Sequence, residues 1–238
     1  MTKPRTRASY HHGDLRNALL EAALKLVAER GPEGFSLREA ARAVGVSPAA
    51  VYRHFSDRMA LLAAIASEGS ARLGAAIEKA IARATARLPR TASPSAHAAA
   101  AFAATTEAYV DFALHHPSHF RVIFGPAGLS REFVPRGGPS GRRPYLMLVD
   151  VLDQLAASGA IPAERRKGAE LAWWAAMHGF AALCVSGAWP ISPRARREAL
   201  RVMLRVLMLG LGCDPVLVPE PGSAPDVDPG LYRARADR

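Results

Sequence analysis

From Ser36 to Phe55 the chain strings together polar and small side chains in an order suited to gripping a polyanion rather than to making or breaking bonds. Ser36 and Ser47 each stand where a helix can begin. Each start brings backbone N–H groups and the positive end of a helix dipole, both of which attract phosphate oxygens. Tyr52, Arg53 and His54 sit at the far end of the helix that Ser47 begins. Arg53 has the reach for a guanine edge or a phosphate, while Tyr52 and His54 carry donors for phosphate oxygens. Ala49 and Ala50 have no bulk to hold a helix away from base edges, and their methyl groups suit thymine methyls. The chemistry these residues could do is recognition of duplex DNA.

Catalysis calls for different side chains. A nucleophile beside its base, paired carboxylates in a cleft or a loop cradling phosphate would mark an enzyme, and none stands out. Gly137-Gly138-Pro139-Ser140-Gly141 lacks the strand and helix that a phosphate loop needs, so the chain is not expected to be an enzyme or to hold a cofactor. No metal site is expected either. Pro117 interrupts the helix that would align His115 with His119, and neither His116 nor the pair His11-His12 has a cysteine or acid at ligand spacing. The two cysteines, Cys184 and Cys213, make no disulfide framework, and the N-terminus has no apolar leader, which reads as a reducing cytoplasm. In 238 residues, 31 Lys and Arg outnumber 21 Asp and Glu for a net charge of +10, an excess that favours a nucleic-acid partner.

The elements that must position Ser36 to Phe55 are all helical. Residues 1–13 read as a flexible basic arm. Asp14 caps a first helix with Leu15, Leu19, Ala23, Leu26 and Val27 on one face, stopped by Gly31-Pro32. Ser36 and Glu39 form a capping box that starts a short second helix ending near Val44. Gly45 supplies the left-handed turn, and Ser47-Pro48 opens a third helix that runs to Phe55. Val51 and Phe55 then face inward with Val44 and Val46, leaving Ala49, Ala50, Arg53 and His54 outside. Asp57 caps a long fourth helix whose apolar spacing lasts from Leu61 to Leu88, before Pro89. An alanine-rich helix reaches His115, a Gly/Pro/Arg loop spans Gly125 to Arg143, and helices follow at Tyr145–Ser158, Ala163–Ser186 and Pro193–Gly210. From Cys213 the prolines predict an irregular tail. Nothing alternates as a strand does.

Over Leu19 to Leu62 the chain resembles the TetR family of bacterial regulators, in ALLEAALKLVAERG, FSLREAARAVGVSPAAVYRHF and SDRMALL. The resemblance implies an all-α fold: an N-terminal three-helix domain with a helix-turn-helix over 14–62, and a larger helical ligand-binding and dimerisation domain over 63–212. The arm and an irregular tail over 213–238 flank them. By motif position Ser36, Arg38, Ser47, Ala49, Ala50, Tyr52, Arg53 and His54 would face DNA. Arg58 stands where the family usually has a phosphate-contacting lysine, and Met59 replaces the usual acid. The implied function is a homodimeric regulator on a palindromic operator, most simply a repressor released by a small-molecule effector. An activator would share these features.

Farther along, Trp174-Ala175-Ala176-Met177-His178-Gly179 is similar to the tryptophan, histidine and glycine signature of a C-terminal subtype of that family. The family's dimers pair their last two long helices across a two-fold axis. A pocket for a partly apolar effector would lie among helices four to eight, with Phe102, Tyr109, Phe112, Phe120, Met147, Trp173, Met177 and His178 as candidate lining. A rival reading takes the uncharged run over 171–193 as a membrane-interacting helix. His178, Ser186, Gly179, Gly187 and Pro190 interrupt that run, so a buried interface helix and no membrane partner are expected.

Overall fold

The computed structural model describes residues 12–125, 144–189 and 192–220; among them there are helices, turns and loops and no strand. The basic arm through His11, the loop over 126–143 and the tail beyond Glu220 lie outside the described residues. Contacts group the described residues into two compact units, one containing those up to Gly69 and those from Pro117 to Gly125, the other Ser70–His116 and the residues from Pro144 onward.

The first unit holds α1 (His12–Arg30), α2 (Leu37–Val44), α3 (Pro48–Tyr52), the start of α4 (Arg58–Ala86) and α6 (Pro117–Ile123). Helix α1 begins at least two residues before the expected cap at Asp14. Its residues Leu15, Leu19, Ala23 and Val27 recur every four positions and are buried with Phe35, Leu37, Ala40 and Ala41. Leu61, Leu62 and Ile65 from α4 complete this core. The sequence pattern puts the boundary between Leu62 and Ala63; the compact unit continues to Gly69 and takes in α6 as well. Helix α6 joins it because His119, Phe120, Val122 and Ile123 are buried and the helix packs on α1. A side chain at Gly69 would meet Ile123 within 2.8 Å, so the glycine is what lets α6 lie this close to α4.

The capping box at Ser36 forms as expected. The Ser36 hydroxyl accepts from the Glu39 amide at 3.2 Å, and the Glu39 carboxylate accepts from the Ser36 amide at 2.8 Å. Arg30 adds a guanidinium at 2.8 Å. These donors, the Ser36 amide foremost and then Arg30, hold the Glu39 carboxyl down at about 2. A carboxyl depressed on folding adds stability above its ordinary value of 4.5 and loses it as pH falls toward about 2. Acid titration followed by circular dichroism is therefore expected to show a stability loss in that window that is smaller in Glu39→Gln. Gln keeps the box but cannot ionise; identical acid profiles would remove Glu39 from the account.

In the second unit α5 (Pro94–His115) is central, packed against α7 (Pro144–Ala157) and α9 (Gly179–Ser186). Its alanines leave room for close neighbours, and its buried Thr105 and Thr106 donate back to the carbonyls of Ala101 and Phe102 at 2.8 and 2.9 Å. Helix α8 (Ala169–Trp173) passes through one wide π-helical turn, Trp174–His178, directly into α9. The predicted helix over Ala163–Ser186 is thus divided. Gly168 at φ 79° starts the rod, after a short 3-10 turn at Ala163–Arg165, and Gly187 at φ 71° ends it. The uncharged run over 171–193 therefore does not continue as one helix: Trp173, Met177, Phe180, Ala181 and Cys184 are buried, and the rod stops at Ser186. Among the described residues one helix, Arg58–Ala86, is long and apolar enough to cross a membrane by length and composition. Ser192 caps α10 (Pro193–Gly210) through the Ala195 amide, on the predicted boundaries. The tail departs from expectation at its start. Cys213 and Val218 are buried, and Arg205 donates to the Pro219 carbonyl at 3.2 Å, so the chain to Glu220 belongs to the folded unit.

Candidate nucleic-acid interface

Helices α2 and α3 meet at a tight corner. Gly45 adopts φ 76°, a left-handed conformation that costs a side chain dearly, and its neighbour Val46 donates back to Ala41 at 3.0 Å. Ser47 then caps α3 through the Ala50 amide at 3.3 Å, with Pro48 in the first turn, where a missing N–H costs nothing. Val51 and Phe55, four apart, are buried as the spacing predicts, whereas Val44 and Val46 are only partly covered. Arg16 of α1 lies 5.5 Å over the Phe55 ring, a cation–π contact that pins the end of the recognition segment to α1. Sequence spacing alone does not point to Arg16.

What α3 leaves outside is Ser47, Ala49, Tyr52 and Arg53, with Tyr52 50% exposed and His54 partly so. A large aromatic hydroxyl and a guanidinium side by side on a capped helix corner form a surface shaped for phosphate and base edges. Arg38 is exposed on α2. Three of the residues expected to face DNA are covered or engaged within the chain. Ala50 is only 7% exposed, on a short helix that packs against α2, so little of its methyl is open to a partner. The Ser36 hydroxyl donates to the Glu39 carboxylate at 2.9 Å, so its proton is committed within the box. Arg58 donates to the Glu33 carbonyl at 2.6 Å, with the Phe35 carbonyl at 3.5 Å. It therefore clasps the start of α4 to the turn before α2, a structural task the sequence does not disclose.

The residues expected to line an effector pocket are mostly core. Phe102, Tyr109, Phe112, Met147, Trp173 and Met177 are buried in the second unit, while Phe120 is buried in the first, where its ring lies 4.9 Å from Phe124. His178 is partly exposed. The Tyr109 hydroxyl and His178 Nδ1 are 2.9 Å apart, and Trp174 stacks on the His178 ring at 5.6 Å. Burial pushes the His178 imidazole below its ordinary value and the Tyr109 phenol above its own, which favours the neutral form of each. Of the expected lining, Phe112 also borders an open groove between α4 and α5. Among the described residues no group of three His, Cys, Asp or Glu is placed to hold a metal ion.

Two family models match the chain. Residues 19–65 match the model described as bacterial regulatory proteins, tetR family, and residues 101–207 match the tetracyclin repressor-like C-terminal domain. The HTH-type transcriptional repressor AcnR of Corynebacterium diphtheriae is 41% identical over 58 residues, 24% of this chain and 30% of that protein. The chain thus spans about 30% of the length of that curated relative. A protein with unknown function from Rhodococcus sp. RHA1 is 33% identical, with a TM-score of 0.66, covering 86% of this chain and 99% of that one. The TetR family transcriptional regulator PfmR from Thermus thermophilus shares the fold, with a TM-score of 0.58 at 24% identity over 80% of this chain and 95% of that one.

Proposed function

The chain belongs to the tetR family of bacterial transcription regulators, and from that premise we propose that it is a cytoplasmic, homodimeric repressor that grips a near-palindromic operator and lets go when a small molecule binds its second unit. The observation that carries the DNA half of this reading is the exposed arc of Ser47, Ala49, Tyr52 and Arg53 on a capped corner whose inner face, Val51 and Phe55, is buried. Two such corners related by a two-fold axis would enter successive major grooves about 34–36 Å apart. Repression is supported by AcnR, a repressor by name, which matches this chain over a short stretch.

The dimer half rests on the rod from Ala169 to Ser186. One side of it carries Leu171, 72% exposed, then Ala172, Ala175, Gly179 and Leu183, a stripe without charge. Val206 and Leu209 are exposed on α10 as well. A second copy of the same two helices would bury both stripes. Release rests on α4, one unbroken helix of 29 residues that contributes to both units. A ligand that shifted its far half would move the reading heads off the groove spacing, a coupling of about 1–3 kcal/mol in typical systems.

Arg53→Ala is the direct test. Operator affinity measured by fluorescence anisotropy is expected to fall by about 1–3 kcal/mol, with the dimer intact and a shallower dependence on salt if the contact is to phosphate. Unchanged affinity would remove Arg53 from the interface.

A further inference from the structure

Lys79 and Arg83 on the far half of α4, and Arg87 just past its end, recur every four residues, a spacing at which like charges face the same side and repel. Across from them on α5 stand Glu107 and Asp111. Between the two walls lies a groove of about 460 Å³, within the size of small-molecule sites, floored by alanines of both helices and bordered by Phe112. Opposite charges lining one groove can form ion pairs across it, and helices this rich in alanine can close up. Neither happens. No ion pair joins any of the five charged side chains to another across the groove. The Glu107 carboxyl is pushed upward by partial burial and by Asp111, with Arg201 of α10 offsetting part of the effect.

We propose that this groove binds a small dipolar molecule, with a carboxylate against Lys79, Arg83 and Arg87, an ammonium group against Glu107 and Asp111, and a short apolar body lying on the alanine floor toward Phe112. A simple anion would meet two carboxylates, and a simple cation three bases. A molecule carrying both charges satisfies both walls at once, and the guanidiniums offer the planar fork that a carboxylate fits. Recognition of a small molecule in the second unit is part of the proposed function. The place and the ligand class are not, and only the link to DNA release rests on that reading.

The full chain is titrated by calorimetry with 6-aminohexanoate, hexanoate and hexylamine. The zwitterion is expected to bind at least about tenfold more tightly than either singly charged probe, and Arg83→Gln and Glu107→Gln are each expected to weaken it by about tenfold. Arg83 is solvent-exposed and Glu107 only partly covered at the groove wall, so folding should survive, with a melting curve as the check. Equal binding of hexanoate, no binding of the zwitterion at millimolar concentration, or indifference to both substitutions overturns the proposal. An operator titration beside it separates the two readings. Zwitterion binding without DNA release keeps the site and breaks the effector reading, whereas operator release by 6-aminohexanoate that survives both substitutions overturns the site.

Discussion

A Gly179→Glu chain is expected to run as a monomer and to bind operator DNA about a hundredfold or more weakly, since each reading head would then bind alone without the other's effective concentration. Gly179 lies in the middle of the uncharged stripe, four residues from both Ala175 and Leu183. A Cβ built there meets nothing within 4 Å, so within one chain the substitution encounters open space. It should even favour the helix, because Gly in a helix interior costs about 0.5–1 kcal/mol relative to Ala. What it cannot do is pack against a second copy. Two glutamates brought together at a two-fold axis would be buried, unpaired and mutually repelling. Light scattering reads the mass and anisotropy reads the affinity. A stable, folded dimer with unchanged affinity would place the interface elsewhere, and an unchanged helical circular-dichroism spectrum with a cooperative melt rules out misfolding as the cause of a loss.

The parts of the fold that can be read from the sequence are those whose partners lie within a few residues. Ser36 and Glu39, Gly45, and Ser47 with Pro48 act through local backbone geometry, and each adopts the conformation that its residue type demands. The same holds for Val51 and Phe55, because a spacing of four fixes their shared face. Where the partner is distant, the pattern is silent. Nothing in the neighbourhood of Arg58 says that Glu33, 25 positions earlier, will take its guanidinium. Ala50 is a case of phase. A five-residue helix pressed on α2 buries a wider arc than a long amphipathic one, and a residue one step from Val51 falls inside it. Phe120 belongs to the first unit rather than the expected second because Pro117 restarts a helix that packs on α1, and no local signal says in which direction a new helix will run. The groove is intermediate. Its basic stripe is plain in the order Lys79, Arg83, Arg87, but its acidic wall becomes opposite only once α5 is placed.

Trp173 and Trp174 are adjacent, and the largest loss of folding stability is expected from the one outside the signature that the sequence offers. Trp173 is 2% exposed; its indole N–H donates to the Thr106 hydroxyl at 2.9 Å, and its ring meets Tyr109 edge-on at 4.9 Å. Trp173→Ala removes a large buried side chain from a close-packed site, at a cost of about 3–5 kcal/mol. For a chain of this size each kcal/mol moves the melting point by about 2–4 °C, so thermal denaturation should show a fall of roughly 6–20 °C. Trp174, partly exposed, has ring neighbours instead: His178 stacked on it and Tyr145 edge-on at 6.3 Å. Aromatic pairs of that kind contribute about 0.5–1.5 kcal/mol beyond area, so Trp174→Ala should cost markedly less. Equal losses would overturn this division of labour. The division follows from the π-helical turn over Trp174–His178, which widens the helix where the two rings stack and keeps Trp173 aimed at α5. Turns of this kind recur at functional sites because the inserted residue disturbs the regular ladder. Trp173 anchors the rod in the core, which leaves Trp174 and His178 on a part of its surface not required to hold the unit together.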